Sequence, residues 1–197
     1  MIYVFNIIKN IVTTIYEKIG PSLLVAVLSM FTWLYFREHG AKNAVRKWLY
    51  SLRKDKEFRK RFLFILYTAM MLFRTLFARE IYPHPLENVT GIWSLHREDG
   101  SIYTENIENV ILFVPFTLLL MWNFAGRIFS QKITFLCIAG ICTGISAICS
   151  LAIETSQLVF FLGTFQLTDL LFNTVGGLIG GSLYWGAVIL SRHRKNI

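Results

Sequence analysis

The sequence is short of charged residues, proline and cysteine, and each shortage narrows the kind of protein that it encodes. Only 16% of its 197 residues are charged and 54% are hydrophobic, whereas about a quarter of an ordinary soluble domain is charged. A water-soluble enzyme does not fit this composition. A disordered or fibrous chain does not fit either, because 17 phenylalanines accompany only 4 prolines. The composition therefore predicts an integral membrane protein.

The three cysteines, Cys137, Cys142 and Cys149, all lie in one apolar run, which excludes an extracellular disulfide framework. Their spacings do not place three sulfurs on one helix face, so they are interpreted as small apolar side chains rather than metal ligands. His84 and His96 are interpreted as ordinary loop histidines. The sequence implies no metal and no other cofactor.

Five stretches are apolar and long enough, or nearly so, to cross a bilayer, which takes roughly 20 residues. The predicted spans are 21–37, about 62–79, about 107–126, about 132–158 and about 169–190. Pro21 suits the first turn of the first span, Arg74 interrupts the second, and Pro115 marks a kink in the third. The predicted fold is all-α, a polytopic helical membrane protein with about five transmembrane helices.

The distribution of basic residues predicts the orientation, because cytoplasmic loops are enriched in Lys and Arg. The segment from Arg37 to Arg61 holds ten of the 20 basic residues. The 126–132 turn and the C-terminal tail, on the same side, add Arg127, Lys132, Arg192, Arg194 and Lys195. On the opposite side, loop 80–106 has one basic residue, Arg97, and loop 159–168 has no Lys or Arg. We therefore predict a multi-pass protein with a cytoplasmic C-terminus.

This topology also accounts for the net charge of +8, so no nucleic-acid partner is predicted. The basic 38–61 segment is expected to lie against anionic head groups, which makes membrane lipids the predicted partners. No cleavable signal peptide is predicted at the N-terminus.

Residues 1–20 carry isoleucines and valines at helical spacing, with polar residues mostly on the other side. This pattern predicts an N-terminal amphipathic helix lying in the membrane interface. Two alternatives remain open. The helix could pack on the bundle with a wet outer side, or it could be a sixth span that turns back at Gly20 and Pro21.

Six polar residues lie within the predicted spans or at their ends: Arg74, Asn109, Glu154, Gln157, Asp169 and Asn173. An ionisable group at a helix centre costs about 2.5–3.5 kcal/mol on insertion, so it needs a partner or a water-filled cavity. The predicted topology places all six in the outer half of the membrane. Glu154 with Gln157, and Asp169 with Asn173, are spaced to share a helix face. We therefore expect these six residues to line an outward-facing polar cavity and to bind a ligand.

A structural role is the alternative for the same residues. Arg74 could form a buried ion pair with Glu154 or Asp169 that only fixes helix register. Asp169 could act partly as the N-terminal cap of the fifth span. The apolar 158–168 connection has to turn, most plausibly at Gly163, and could dip into the membrane as a re-entrant loop.

The fifth predicted span contains two overlapping GxxxG patterns, formed by Gly176, Gly177, Gly180 and Gly181. Such patterns are typical of close helix packing. The packing partner is either another helix of the chain or a second copy, so the Gly176/Gly180 face could support a homodimer.

Three stretches resemble the VanZ-like family of bacterial membrane proteins: ENVILFVPFTLLL at 108–120, IETSQLVF at 153–160 and GTFQLTDLLFNTVGGLIG at 163–180. The resemblance covers roughly residues 60–190. It implies that the family's signature polar positions are Asn109, Glu154, Gln157, Asp169 and Asn173.

The chain also departs from the family pattern. Many members have Arg shortly before position 163 and Asp at position 166, where this chain has Phe161, Leu162 and Gln166. Thr117 stands where the family usually has glycine after the proline. These departures leave fewer charges in the site.

The resemblance defines three predicted segments. Residues 1–58 hold the N-terminal amphipathic helix, the first transmembrane helix and the basic cytoplasmic loop. Residues 59–191 form a VanZ-like four-helix membrane domain, and residues 192–197 form a basic cytoplasmic tail.

The resemblance implies a protein of the bacterial cytoplasmic membrane that contributes to low-level resistance to teicoplanin and related lipoglycopeptides. The interpretation we favour is a binding protein that engages the antibiotic, or the lipid-linked cell-wall precursor, in the polar cavity. The alternative is an intramembrane enzyme that modifies a lipid-linked glycan or lipid, with Glu154 and Asp169 as catalytic acid and base. Against an enzyme, the sequence has no paired nucleophile and base, no metal-ligand set and no phosphate-binding loop. A small transporter is a third hypothesis, weakened by the lack of a convincing inverted repeat.

Overall fold

The computed structural model describes residues 2–38, 40–77, 79–94, 103–128 and 134–195, and all regular structure in these ranges is helical. The helices are α1 (Ile2–Glu38), α2 (Ala41–Lys54), α3 (Lys56–Leu72), α4 (Glu105–Ile128), α5 (Phe135–Phe160) and α6 (Leu167–Lys195). A π-helical turn, Phe73–Phe77, continues α3 directly. The predicted all-α fold class is confirmed. His96, Arg97 and Lys132 lie outside the described residues.

Four helices in the described part of the chain are long and apolar enough to cross a membrane: Val4–Glu38, Glu105–Ile128, Phe135–Phe160 and Leu167–Arg192. They correspond to the first, third, fourth and fifth predicted spans. The second predicted span is α3 with its π-helical turn. Its α-helical part has 17 residues and begins with a charged run, so it is shorter and less apolar than the four helices above. It nevertheless packs against both α1 and α4.

Helix α1 is continuous through the point where the sequence predicted a boundary. Its 37 residues would extend about 55 Å, well beyond the hydrocarbon thickness of a bilayer. Pro21 lies inside the helix and removes one backbone donor, while the Ser22 hydroxyl donates to the Lys18 carbonyl at 2.6 Å. The alternative of a hairpin at Gly20 and Pro21 is therefore wrong, and the predicted N-terminal helix and first span form one element.

The basic segment folds as α2 and the start of α3. Helix α2 carries five basic residues and no acidic one. Ala44 and Trp48 pack it onto Met30 of α1 and Phe58 of α3. Asp55 ends α2 and caps α3, because its Oδ1 accepts hydrogen bonds from two backbone N–H groups at 2.9 and 3.2 Å. The basic residues of α2 therefore lie at one end of the bundle.

Helix α6 packs between α4 and α5 through its glycines. A Cβ on Gly176 would collide with the Val110 carbonyl of α4, and one on Gly177 would collide with Ser146 of α5. Gly180 lies one turn on and makes the same kind of close approach to α4. The Gly176/Gly180 face thus packs on α4 of the same chain, which is one of the two packing partners that the sequence allowed. The homodimer stays a prediction.

Candidate functional site

Asn109, Glu154 and Asp169 meet where α4 and α6 begin and α5 ends. Asn109 Nδ2 donates to Asp169 Oδ1 at 2.8 Å, and the Gln166 backbone N–H donates to Glu154 Oε2 at 2.9 Å. Glu154 and Asp169 lie near enough for their charges to interact. Glu154 is 1% exposed, whereas Asp169 is only partly buried. We refer to Asn109, Glu154, Gln166 and Asp169 as the carboxylate cluster.

Arg79 supplies the positive charge beside the carboxylate cluster. It follows the π-helical turn, has an exposed side chain and interacts electrostatically with Glu154 and Asp169. Its guanidinium lies against Gly163, where an added Cβ would be 3.1 Å from Nη1. Gly163 has a φ of +141°, a conformation that favours glycine. Glycine at this position both allows the turn and leaves room for Arg79.

Gln157 and Asn173 lie in the interior of the bundle and hold neighbouring elements together. Gln157 Nε2 donates to the Thr75 carbonyl of the π-helical turn at 2.9 Å, and Asn173 Nδ2 donates to Ser150 Oγ of α5 at 2.9 Å. The side-chain oxygens of both amides are buried without a hydrogen-bond partner. Because such buried acceptors are costly, the unpaired oxygens mark places where a water or ligand donor would be stabilised.

Arg74 does not join the other five predicted site residues. Its Nη2 lies 2.6 Å from Glu108 Oε2, and its Nη1 donates to Thr14 Oγ1 of α1 at 3.2 Å. Asn10 Nδ2 donates to the other Glu108 oxygen at 2.9 Å. We call Asn10, Thr14, Arg74 and Glu108 the Arg74 network. The alternative in which Arg74 pairs with Glu154 or Asp169 is therefore wrong, because its carboxylate partner is Glu108.

The predicted arrangement of six residues around one open cavity is not what the described side chains form. Glu154, Gln157 and Asn173 are 1%, 1% and 4% exposed, so protein encloses them closely. Asp169 is half-buried, and Arg79, which was not among the six, is exposed beside it. A ligand approaching from outside would therefore meet Arg79 and Asp169 before it reached Glu154.

The α5–α6 connection satisfies its backbone through the loop that follows the π-helical turn. The Tyr82 N–H donates to the Phe161 carbonyl at 2.6 Å, and the Phe165 N–H donates to the Pro85 carbonyl at 2.8 Å. Protein groups thus satisfy part of the backbone that the sequence placed in a candidate re-entrant loop. The Tyr82 hydroxyl also donates to Glu87, and this hydrogen bond raises the pKa of Tyr82 above its usual value.

Sequence reasoning missed Glu108, Arg79 and the backbone N–H of Gln166. Glu108 precedes Asn109, but adjacent helical residues face different directions, so Asn109 faces α6 while Glu108 faces α1 and α3. The signal was available, because Arg74 at membrane depth needs a carboxylate at the same depth. Within the described residues, no group of three or more His, Cys, Asp or Glu side chains is arranged to hold a metal ion.

Comparison with known proteins places the chain in a family. The family model described as VanZ/LLP1 matches residues 2–190. The chain belongs to the VanZ/LLP1 family. Protein VanZ of Enterococcus faecium is 30% identical over 130 residues, which are 62% of this chain and 71% of that protein. No solved structure matches the chain.

Membership of the VanZ/LLP1 family and the four apolar helices together indicate that the chain is a helical membrane protein. The resemblance carried by the three sequence motifs is confirmed. The family match also includes residues 2–58, which those motifs did not cover. The division of the chain at residues 58 and 191 stays a prediction.

Proposed function

We propose that the protein lowers susceptibility to teicoplanin and related lipoglycopeptides by binding the antibiotic, or the lipid-linked cell-wall precursor, at the carboxylate cluster. The observation that carries this proposal is the meeting of two carboxylates, an amide and an exposed guanidinium at one end of the helices. Hydroxyl, amine and amide groups of a glycopeptide can donate hydrogen bonds to the carboxylates, and a phosphate can form an ion pair with Arg79.

The proposed site faces the outside of the bacterial cytoplasmic membrane, and the C-terminus is cytoplasmic. Helix direction supports this orientation. The carboxylate cluster lies where α4 and α6 begin, whereas α2 and the basic ends of α4 and α6 lie at the other end. The positive-inside rule assigns the basic end to the cytoplasm. Lipoglycopeptides bind their lipid-linked precursors at the outer surface of this membrane, which is the side that the proposed site faces.

Glu154 is the residue on which binding depends most. Its Oε2 is held by the Gln166 N–H at 2.9 Å, so the carboxylate has a fixed position from which to accept a hydrogen bond. Asn109 fixes Asp169 in the same way. Arg79 sets the local charge from an exposed position, where it is the first group that a ligand meets.

Teicoplanin susceptibility in a sensitive host tests this proposal. The strains express wild type, Glu154→Ala or Glu154→Gln at matched membrane levels. Thr155→Ala is the control, because Thr155 is next to Glu154 in α5 and its side chain is exposed. Wild type and Thr155→Ala should raise the inhibitory concentration, and Glu154→Ala should abolish the increase. If wild type causes no increase, the resistance function is wrong for this chain.

The second candidate function is an intramembrane enzyme that modifies a lipid-linked glycan or lipid. It is favoured by the unequal environments of two neighbouring carboxylates, since Glu154 is enclosed and Asp169 is partly exposed. Glu154→Gln separates the two functions. A binding site should keep part of its effect because the amide still offers an acceptor, whereas acid–base catalysis should lose nearly all of it.

A further inference from the structure

A second site lies on the opposite side of α4 from the carboxylate cluster. A cavity of about 150 Å³ lies between α1, α3 and α4, and its lining is mostly apolar. Tyr67, Met70 and Leu112 are among its lining residues, and Arg74 and Glu108 contribute its charged groups. A cavity of about this volume with an apolar lining holds a molecule as large as benzene, or roughly six carbon atoms.

The residues that line the cavity are spread along α3 and α4. Arg74 and Glu108 form one end, and Tyr67 and Pro115, each seven residues away on α3 and α4, line the other. Seven residues of helix span about 10 Å. A space of this volume spread over that length has room for roughly six carbon atoms of one hydrocarbon chain. The Tyr67 hydroxyl donates to the Leu112 carbonyl at 2.8 Å, which leaves the cavity without a free hydroxyl at its apolar end.

The polar end offers hydrogen-bond donors without a net charge. Arg74 and Glu108 compensate each other at 2.6 Å. An arginine has five N–H donors, which is more than the contacts to Glu108 and Thr14 require. The Arg74 side chain is 21% exposed. This end therefore suits a neutral acceptor such as an ester carbonyl better than a second full charge.

The rim of the cavity opens on the surface of the helix bundle. Ile15 on α1 and Ile111 on α4 line it and are 40% and 37% exposed. In a membrane protein this apolar surface faces lipid. We propose that the cavity binds the first part of one acyl chain of a membrane phospholipid, with roughly six carbons along α3 and α4 and the ester carbonyl at Arg74. The proposal does not depend on the resistance function.

Photocrosslinking in vesicles tests the proposal. The full-length protein is reconstituted into phosphatidylcholine vesicles containing a phosphatidylcholine with a diazirine near the carboxyl end of one acyl chain. After irradiation, labelled peptides are identified by mass spectrometry. Labelling should concentrate on the cavity residues of α3 and α4. Ile111→Trp, which fills the rim, should reduce it severalfold, whereas Ile148→Trp should not, because Ile148 is 70% exposed on α5.

Ile15→Trp fills the rim from α1 and provides a second test if Ile111→Trp folds poorly. Labelling spread evenly over exposed apolar residues, or unchanged in both rim variants, would overturn the proposal. Competition distinguishes the source of the chain. Excess unlabelled phospholipid should displace the label. If teicoplanin lowers the labelling and unlabelled phospholipid does not, the cavity binds the tail of the antibiotic and the phospholipid assignment is overturned.

Discussion

The Arg74 network and the carboxylate cluster lie on opposite sides of α4 and handle buried charge in different ways. Glu108 in the network is matched by a guanidinium at 2.6 Å and by an amide donor at 2.9 Å. Glu154 in the cluster is held by one backbone N–H and lies near a second carboxylate. The charges of the network compensate each other, and its hydrogen bonds join α1, the π-helical turn and α4. The cluster brings two carboxyl groups together, with the exposed Arg79 as the nearby cation. Groups of neighbouring titratable residues of this kind are typical of functional sites.

The largest effect on stability should come from breaking the Arg74 network. Arg74→Gln leaves Glu108 buried without its cation, and such a change costs about 3–5 kcal/mol in other proteins. Because Arg74 is 21% exposed, we expect a loss near the lower end of that range. Thermal unfolding in detergent measures the loss. The double variant Arg74→Gln/Glu108→Gln should recover part of it, and a double variant no more stable than the single would contradict the ion-pair role.

A smaller loss should follow Gly176→Ala. The added Cβ collides with the Val110 carbonyl, and overpacking of this kind costs about 1–3 kcal/mol. The helix shift needed to relieve the collision would also disturb the hydrogen bond between Asn109 and Asp169. Gly186→Ala is the matched control, because a Cβ there meets nothing within 4 Å. If both variants unfold at the same temperature, the glycine contact does not hold α4 and α6 together.

The sequence predicted the order and approximate bounds of the helices because long apolar runs and their polar ends are local features. It also indicated that Asn109, Glu154 and Asp169 would converge. Sequence reasoning left the partner of Arg74 open. Glu108, Glu154 and Asp169 lie at similar depth and differ only in the helix face on which each lies. That face depends on the packing of Gly176 against α4, which is a tertiary contact.

Residues 1–20 show the same limit more strongly. The apolar spacing predicted a helix whose hydrophobic side would contact lipid, and Val4 and Ile8 are indeed 61% and 54% exposed. The polar residues Asn10 and Thr14 instead face the bundle, where they bond Glu108 and Arg74. A hydropathy pattern does not distinguish a polar side facing water from one facing a buried ion pair.

Removing an amide from α4 should separate function from stability. Asn109→Ala loses the hydrogen bond to Asp169 at 2.8 Å, and Asn123→Ala loses bonds to the Leu119 and Lys60 carbonyls at the other end of the helix. Each change should cost about 0.5–1.5 kcal/mol. Only Asn109→Ala should reduce the teicoplanin effect. Equal effects of both variants on susceptibility, at matched expression, would show that general destabilisation explains the result.

The smallest expected change in stability gives the sharpest comparison of the two regions. Glu154→Gln keeps an acceptor for the Gln166 N–H and replaces one of two neighbouring carboxyl groups by a neutral amide of the same size, so its unfolding free energy should change by about 1 kcal/mol or less. Glu108→Gln removes the anion that compensates Arg74 and should cost more. Thermal unfolding of the two variants, side by side, measures the difference. If Glu154→Gln is as destabilising as Glu108→Gln, the carboxylate cluster is as structural as the Arg74 network, and binding at Glu154 loses its main support.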